Sequence, residues 1–138
     1  MVKPRRTVII LALAMGLAAL APITAPRAET LDGAWRYDRL AGSVRYPGTL
    51  RIRNGVGVNR VDYMLDGMRT IVEFEVKVER RANGVVFRPT SQPRFVEQGR
   101  ETTYNADIFT CRWTLPTLTC TNVDTAGQAD TRGFVMSR

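Results

Sequence analysis

The chain has 138 residues, with 20 Lys and Arg against 13 Asp and Glu, a formal net charge of +7, two cysteines and no histidine. The missing histidine excludes Ser-His-Asp and Cys-His catalysis and histidine-based zinc sites. Once the N-terminal segment described next is set aside, the length leaves room for one domain.

Met1-Val2-Lys3-Pro4-Arg5-Arg6 is a basic segment ahead of an uncharged run from Thr7 to Ala25, whose apolar heart is Val8 to Ala21. A bilayer-spanning helix needs about 20 predominantly apolar residues, whereas this run contains Pro22 and ends among small residues, as a cleaved secretory signal does. Cleavage is expected after Ala28 in preference to Ala21, which Pro22 would follow. Residues 1–28 are thus read as a signal peptide and 29–138 as a single β-barrel-like domain, periplasmic or secreted, with no membrane span after cleavage. Loss of Lys3, Arg5, Arg6 and Arg27 lowers the balance to 16 basic and 13 acidic residues, or +3. So small an excess does not argue for a nucleic-acid partner.

From Gly33 onward no segment repeats apolar residues at helical spacing, while alternation of period two recurs, so the fold class expected is all-β. Leu50 and Ile52 alternate with Arg51 and Arg53, and Val61, Tyr63 and Leu65 alternate with Asp62 and Met64. The clearest strand is Ile71 to Val78, with Val72, Phe74, Val76 and Val78 on one face and Glu73, Glu75, Lys77 and Glu79 toward the wet side. Asn54-Gly55, Asp66-Gly67 and Asn83-Gly84 fall between such runs and suit tight hairpin turns, which predicts an antiparallel meander. Pro89 to Pro93 and Gln98 to Asn105 read as loops. Phe109, Cys111 and Trp113 then share one strand face, and Leu118 and Cys120 the next, about a turn at Leu115-Pro116. That register sets Cys111 opposite Cys120 and Trp113 opposite Leu118, which predicts an intrachain disulfide worth about 2.5 kcal/mol by loop-closure entropy. A strand at Gly133 to Met136 closes a set of about eight, spaced as in a small barrel or barrel-like sandwich.

Chemistry-bearing patterns are sparse. Glu73 and Glu75 share a face, but one that also carries Lys77 and Glu79 and reads as solvated, whereas a catalytic carboxylate pair needs one desolvated member. Asn122 to Asp130 places oxygen side chains at the first, third and ninth positions of a calcium loop, yet Ala126 stands at the fifth and Gly133 at the twelfth, so an Asx-rich turn is the better reading. No enzyme activity, metal or cofactor is expected.

Gly33-Ala34-Trp35 at the start of the first strand, followed by a meander and an Arg near the chain end, resembles the lipocalin and wider calycin pattern. That resemblance implies a barrel whose base is closed by Trp35 packed on a basic residue of the last strand, here Arg132 or Arg138. The chain departs from the family in lacking the helix that usually follows the barrel. A second likeness is to small periplasmic inhibitors of secreted bacterial metalloproteases, exported Gly-x-Trp barrels whose N-terminal trunk enters the enzyme; Glu29-Thr30-Leu31-Asp32 would occupy that place. The leading expectation is an exported non-enzymatic binding protein carrying a small apolar ligand, with Phe74, Val76, Phe109 and Trp113 bordering the site. The alternative is a surface-contact protein, an inhibitor of an exported hydrolase or a partner of an envelope protein, working through loops such as 89–93 and 98–105.

Overall fold

A computed structural model describes residues 30–138, so the expected signal peptide lies outside the described residues. The described residues contain no helix and form nine strands: β1 (Gly33–Ala41), β2 (Val44–Arg53), β3 (Val56–Leu65), β4 (Met68–Arg81), β5 (Gly84–Pro89), β6 (Arg94–Glu97), β7 (Asp107–Thr114), β8 (Thr117–Asp124) and β9 (Phe134–Met136). All pair antiparallel in the order β1-β2-β3-β4-β5-β7-β8-β9. A two-way backbone pair nearly closes the ring, Arg36 N to Ser137 O at 2.7 Å and Ser137 N to Arg36 O at 3.0 Å. The protein is an all-β, nearly closed antiparallel barrel.

The alternation read from the sequence sets the inside. Trp35, Leu50, Val61, Tyr63, Val72, Phe74, Val76, Phe109, Cys111, Leu118 and Cys120 are buried, while Glu75 and Lys77 are exposed. Asn54-Gly55 and Asp66-Gly67 turn with positive φ at both residues, 52° and 79°, then 50° and 76°. Such turns match the right-handed twist of the strands they join. Cys111 pairs with Cys120 and Trp113 with Leu118, and the two sulfurs are bonded. The disulfide is consistent with an oxidising compartment.

Two features depart from expectation. The ninth strand, β6, lies between the two segments expected to be loops. It has four residues, too few to show alternation, and pairs with the first half of β4 while β5 pairs with the second half. Across the break Thr90 N donates to Glu75 O at 2.8 Å and Glu75 N donates to Ser91 Oγ at 2.8 Å, so β4 keeps its backbone partners where Pro89 and Pro93 deny them. The third turn centres on Ala82-Asn83, and Gly84 begins β5 opposite Arg81. Gly84 serves close approach instead, because a Cβ there would lie 1.9 Å from the carbonyl oxygen of Cys111.

The two ends of the barrel differ. One gathers the turns at Asn54-Gly55, Ala82-Asn83 and Leu115-Pro116 with the termini of the described chain. The other gathers the turns at Gly42-Ser43 and Asp66-Gly67 with segments 98–106 and 125–130.

Candidate functional site

At the first end, Trp35 is fully buried and its Nε1 donates to Leu31 O at 2.9 Å. The Arg138 guanidinium lies 4.4 Å from the centre of the Trp35 ring and donates to Thr30 O at 2.6 Å. Arg132 is exposed in the bend before β9. The terminal segments thus lie across this end and cover it.

The residues expected to border an apolar ligand are spread through the wall. Phe74 is buried with its ring 6.3 Å from Tyr104, and Val76 is buried behind Gly57. Phe109 meets Tyr37 and Phe134 edge-on at 5.1 and 4.9 Å, the geometry that aromatic pairs favour. Trp113 is half-buried near the first end, beside the Leu115-Pro116 turn, with Arg80 at 5.9 Å over its ring. Glu73 is held on the outer face by Arg60 at 2.7 Å and Arg94 at 2.8 Å, and Glu75 is exposed.

The second end is built differently. The inward register of β1 runs Trp35, Tyr37, Arg39, so its third step carries a guanidinium into the barrel, where Arg39 keeps 3% of its surface exposed. Asp107, at the start of β7, is two residues before inward Phe109, and Asn122 is two residues after inward Cys120 on β8; both are buried. Asp130 arrives from the Asn122 to Asp130 turn. That turn is organised by Asp124, whose Oδ1 accepts from Ala126 N at 2.9 Å and Gln128 N at 2.8 Å, as an Asx-type turn does.

These side chains converge. Arg39 Nη1 donates to both oxygens of Asp130 at 2.8 and 2.9 Å, and Nη2 lies 3.1 Å from Asp107 Oδ1 and 3.1 Å from the Tyr104 hydroxyl. Tyr104 donates to Asp107 Oδ2 at 2.6 Å, and Asn122 Nδ2 donates to Asp107 at 3.1 Å and Asp130 at 3.2 Å. The Tyr46 ring lies 4.9 Å under the guanidinium. Nearby, Tyr63 donates to Glu101, and Tyr37 donates to Asn59 at 2.7 Å.

Burial and charge compete here. Burial pushes the Asp107 carboxyl up to about 6, against the pull of Arg39 and the hydrogen bonds from Tyr104 and Asn122, and with help from the like charge of Asp130. Burial opposes the charge on Arg39, but Asp107 and Asp130 more than offset it and hold the guanidinium above its ordinary range. The Tyr104 hydroxyl is driven well above its ordinary value, first by burial and then by Asp107. At neutral pH the cluster therefore holds one firm cation, Arg39, and a neutral Tyr104 phenol beside Asp107.

Beside it lies a cavity of about 280 Å³, bordered by Arg39, Tyr46, Glu101, Thr103, Tyr104, Asp107, Asn122, Asp124 and Asp130 among others. Sequence reading missed these residues as a group. The signal was there for three of them: Arg39, Asp107 and Asn122 each extend an apolar alternation by one polar step. Glu101 and Tyr104 carry no such mark, since only the fold of segment 98–106 brings them over this end, while Tyr46 is placed by β2, opposite Arg39.

No protein family, curated protein or solved structure matches the chain.

Proposed function

We propose that the protein is an exported, lipocalin-like, non-enzymatic binding protein that holds a small ligand at the polar end of its barrel. The observation that carries this reading is the 280 Å³ cavity beside a fully assembled polar cluster, at the end opposite the one that Trp35 and the terminal segments cover. Ligand sites combine a concave space with a few fixed polar groups, and barrel mouths are a usual place for them. Phe74, Phe109 and Trp113 do not border this cavity, so the ligand is better placed among the polar side chains than in an apolar interior. A non-enzymatic role is supported by the state of Asp107. Its oxygens already receive Arg39, Tyr104 and Asn122, which leaves it poorly placed to take a substrate proton.

A surface-contact role has its own support in a groove of about 350 Å³ on the outer wall, where exposed Val56 and Val58 lie beside Arg51, Arg53 and Glu75. Native mass spectrometry of the full-length gene product recovered from its own cell envelope separates the two. A small adduct present on the wild type and lost from Ala129→Trp, which crowds the cavity, supports the ligand reading. A protein-sized adduct lost from Val58→Asp and kept by Ala129→Trp would replace it with the surface reading.

A further inference from the structure

The cavity has a charge that sets it apart from the rest of the chain. Over residues 30–138 Lys and Arg outnumber Asp and Glu by 16 to 12, yet the cavity is bordered by four of those carboxylates, Glu101, Asp107, Asp124 and Asp130, against the single guanidinium of Arg39. Asp107 and Asp130 are largely used by Arg39, whereas Glu101 faces Tyr63 and Asp124 caps its own turn. The excess of negative charge is therefore not answered by a basic side chain on the cavity wall. In a partly desolvated space such an excess attracts cations far more strongly than in water.

Three further observations narrow the occupant. Buried Asn122 borders the cavity, and its Oδ1 has no hydrogen-bond partner, while Arg39 Nε on the same wall is a donor without one. Buried polar atoms are ordinarily satisfied, so each marks a place for a complementary group. Tyr46 and Tyr104 are the aromatic residues that border the cavity, and Tyr46 already stacks under one cation, Arg39, at 4.9 Å, so aromatic contact with an organic cation is in keeping with the chemistry of this wall. Among the described residues no three acidic or thiol side chains converge as metal ligands would, and the space is that of a small organic molecule rather than a bare ion.

We propose that this cavity binds a small organic cation, an ammonium group on an aromatic or hydroxyl-bearing frame, with the ammonium toward Asn122 and the carboxylates and the frame beside Tyr46 and Tyr104. The inference rests on the proposed function and names the ligand chemistry of that same cavity.

The test compares three probes of one shape. Tyramine carries an ammonium, tyrosol a neutral hydroxyl in its place, and 4-hydroxyphenylacetate a carboxylate. Each is titrated into the isotopically labelled protein, expressed from the full-length gene, and followed by amide NMR shifts at neutral pH and low salt. Tyramine is expected to bind at least about tenfold more tightly than tyrosol, the difference that one charge-assisted hydrogen bond supplies, with shifts centred on residues 101–105 and 122–130. The carboxylate should not bind. Glu101→Gln should weaken tyramine about threefold. Thr103→Lys, an exposed substitution on the cavity rim, should abolish tyramine binding with the melting temperature unchanged. Equal binding of tyrosol, or binding of 4-hydroxyphenylacetate at the same residues, would overturn the cation inference and leave the cavity as a ligand site. Tyramine binding that survives Thr103→Lys would overturn the placement. If no probe shifts these residues, the cation inference is overturned, while the proposed function stands or falls separately on the native mass spectrometry of the wild type and Ala129→Trp.

Discussion

Each end of the barrel sets an arginine against an aromatic ring, and the two pairs work under opposite conditions. Arg138 lies over Trp35 at the surface, where water already solvates its charge and the contact adds cover to a buried indole. Arg39 lies over Tyr46 inside the barrel, where water is excluded and the charge needs Asp107, Asp130 and Tyr104 to be tolerable. An exposed pair is a small addition to an apolar core, whereas a buried pair is a mutual dependence: removing one member strands the rest. The covered end thus serves stability, and the polar end keeps a charged geometry that a closed core would not need.

The sharpest way to break this comparison is Arg39→Met, which keeps much of the side-chain volume and deletes the charge. Asp107 and Asp130 would then face each other buried without a cation. Loss of about 3 to 5 kcal/mol is expected at pH 7, measured by urea denaturation. Adding Asp107→Asn and Asp130→Asn to the same chain should recover most of that loss, because it removes the stranded charges. An Arg39→Met protein as stable as the wild type would show that the cluster is solvated and the contrast between the ends is false.

Asp107→Asn sharpens the same point through pH. The folded protein holds a proton on Asp107 up to about 6, whereas an unfolded Asp releases it near 4. Between those values the folded state binds more protons than the unfolded, so this group makes stability rise as pH falls from 6 toward 4 and withdraws that contribution above 6. The full span is at most about 3 kcal/mol. The groups facing Asp107 are Arg39, Asp130, Tyr104 and Tyr37; burial and neighbouring carboxylates keep the two phenols neutral throughout this window. Asp62 and Glu79, held low chiefly by hydrogen bonds from Arg69 and Arg88, work in the opposite direction, but below about pH 4. The stability difference between wild type and Asp107→Asn should therefore shift toward the wild type as pH drops from 6.5 to 4.5. A flat difference would mean that Asp107 titrates as an exposed carboxylate does.

The two ends also differ in how far the sequence reveals them. Strands β2, β3, β4, β7 and β8, the Cys111 to Cys120 register and two of three hairpin turns follow from alternation and turn chemistry, which are local signals. The place of Trp35 at the start of β1 comes instead from the resemblance of Gly33-Ala34-Trp35 to the lipocalin pattern. The polar cluster joins residues up to 91 positions apart, Arg39 and Asp130, and nothing local couples them. Its trace was the polar residue one step beyond an apolar alternation, and at Asn122 and Asp130 that trace was obscured by a second pattern, the partial calcium loop. β6 stayed hidden for another reason: a strand of four residues broken from β5 by two prolines draws its pairing from β4, not from its own composition.

The smallest effect is expected at the covered end. Arg138→Gln removes the cation over Trp35 and weakens the bond to Thr30 O but strands no partner, since the indole keeps its own hydrogen bond to Leu31 and its burial within the core. An exposed cation–π contact is worth about 0.5 to 1 kcal/mol, so a loss below about 1 kcal/mol is expected, nearly independent of pH between 4.5 and 7. Tryptophan emission should report the change directly, because thinning the cover over the indole admits water and shifts its emission to longer wavelength even where stability barely moves. A loss as large as that of Arg39→Met would mean that the terminal segments depend on Arg138 to stay docked. The covered end would then be a latch held by one charge, and the difference between the two ends would be one of degree.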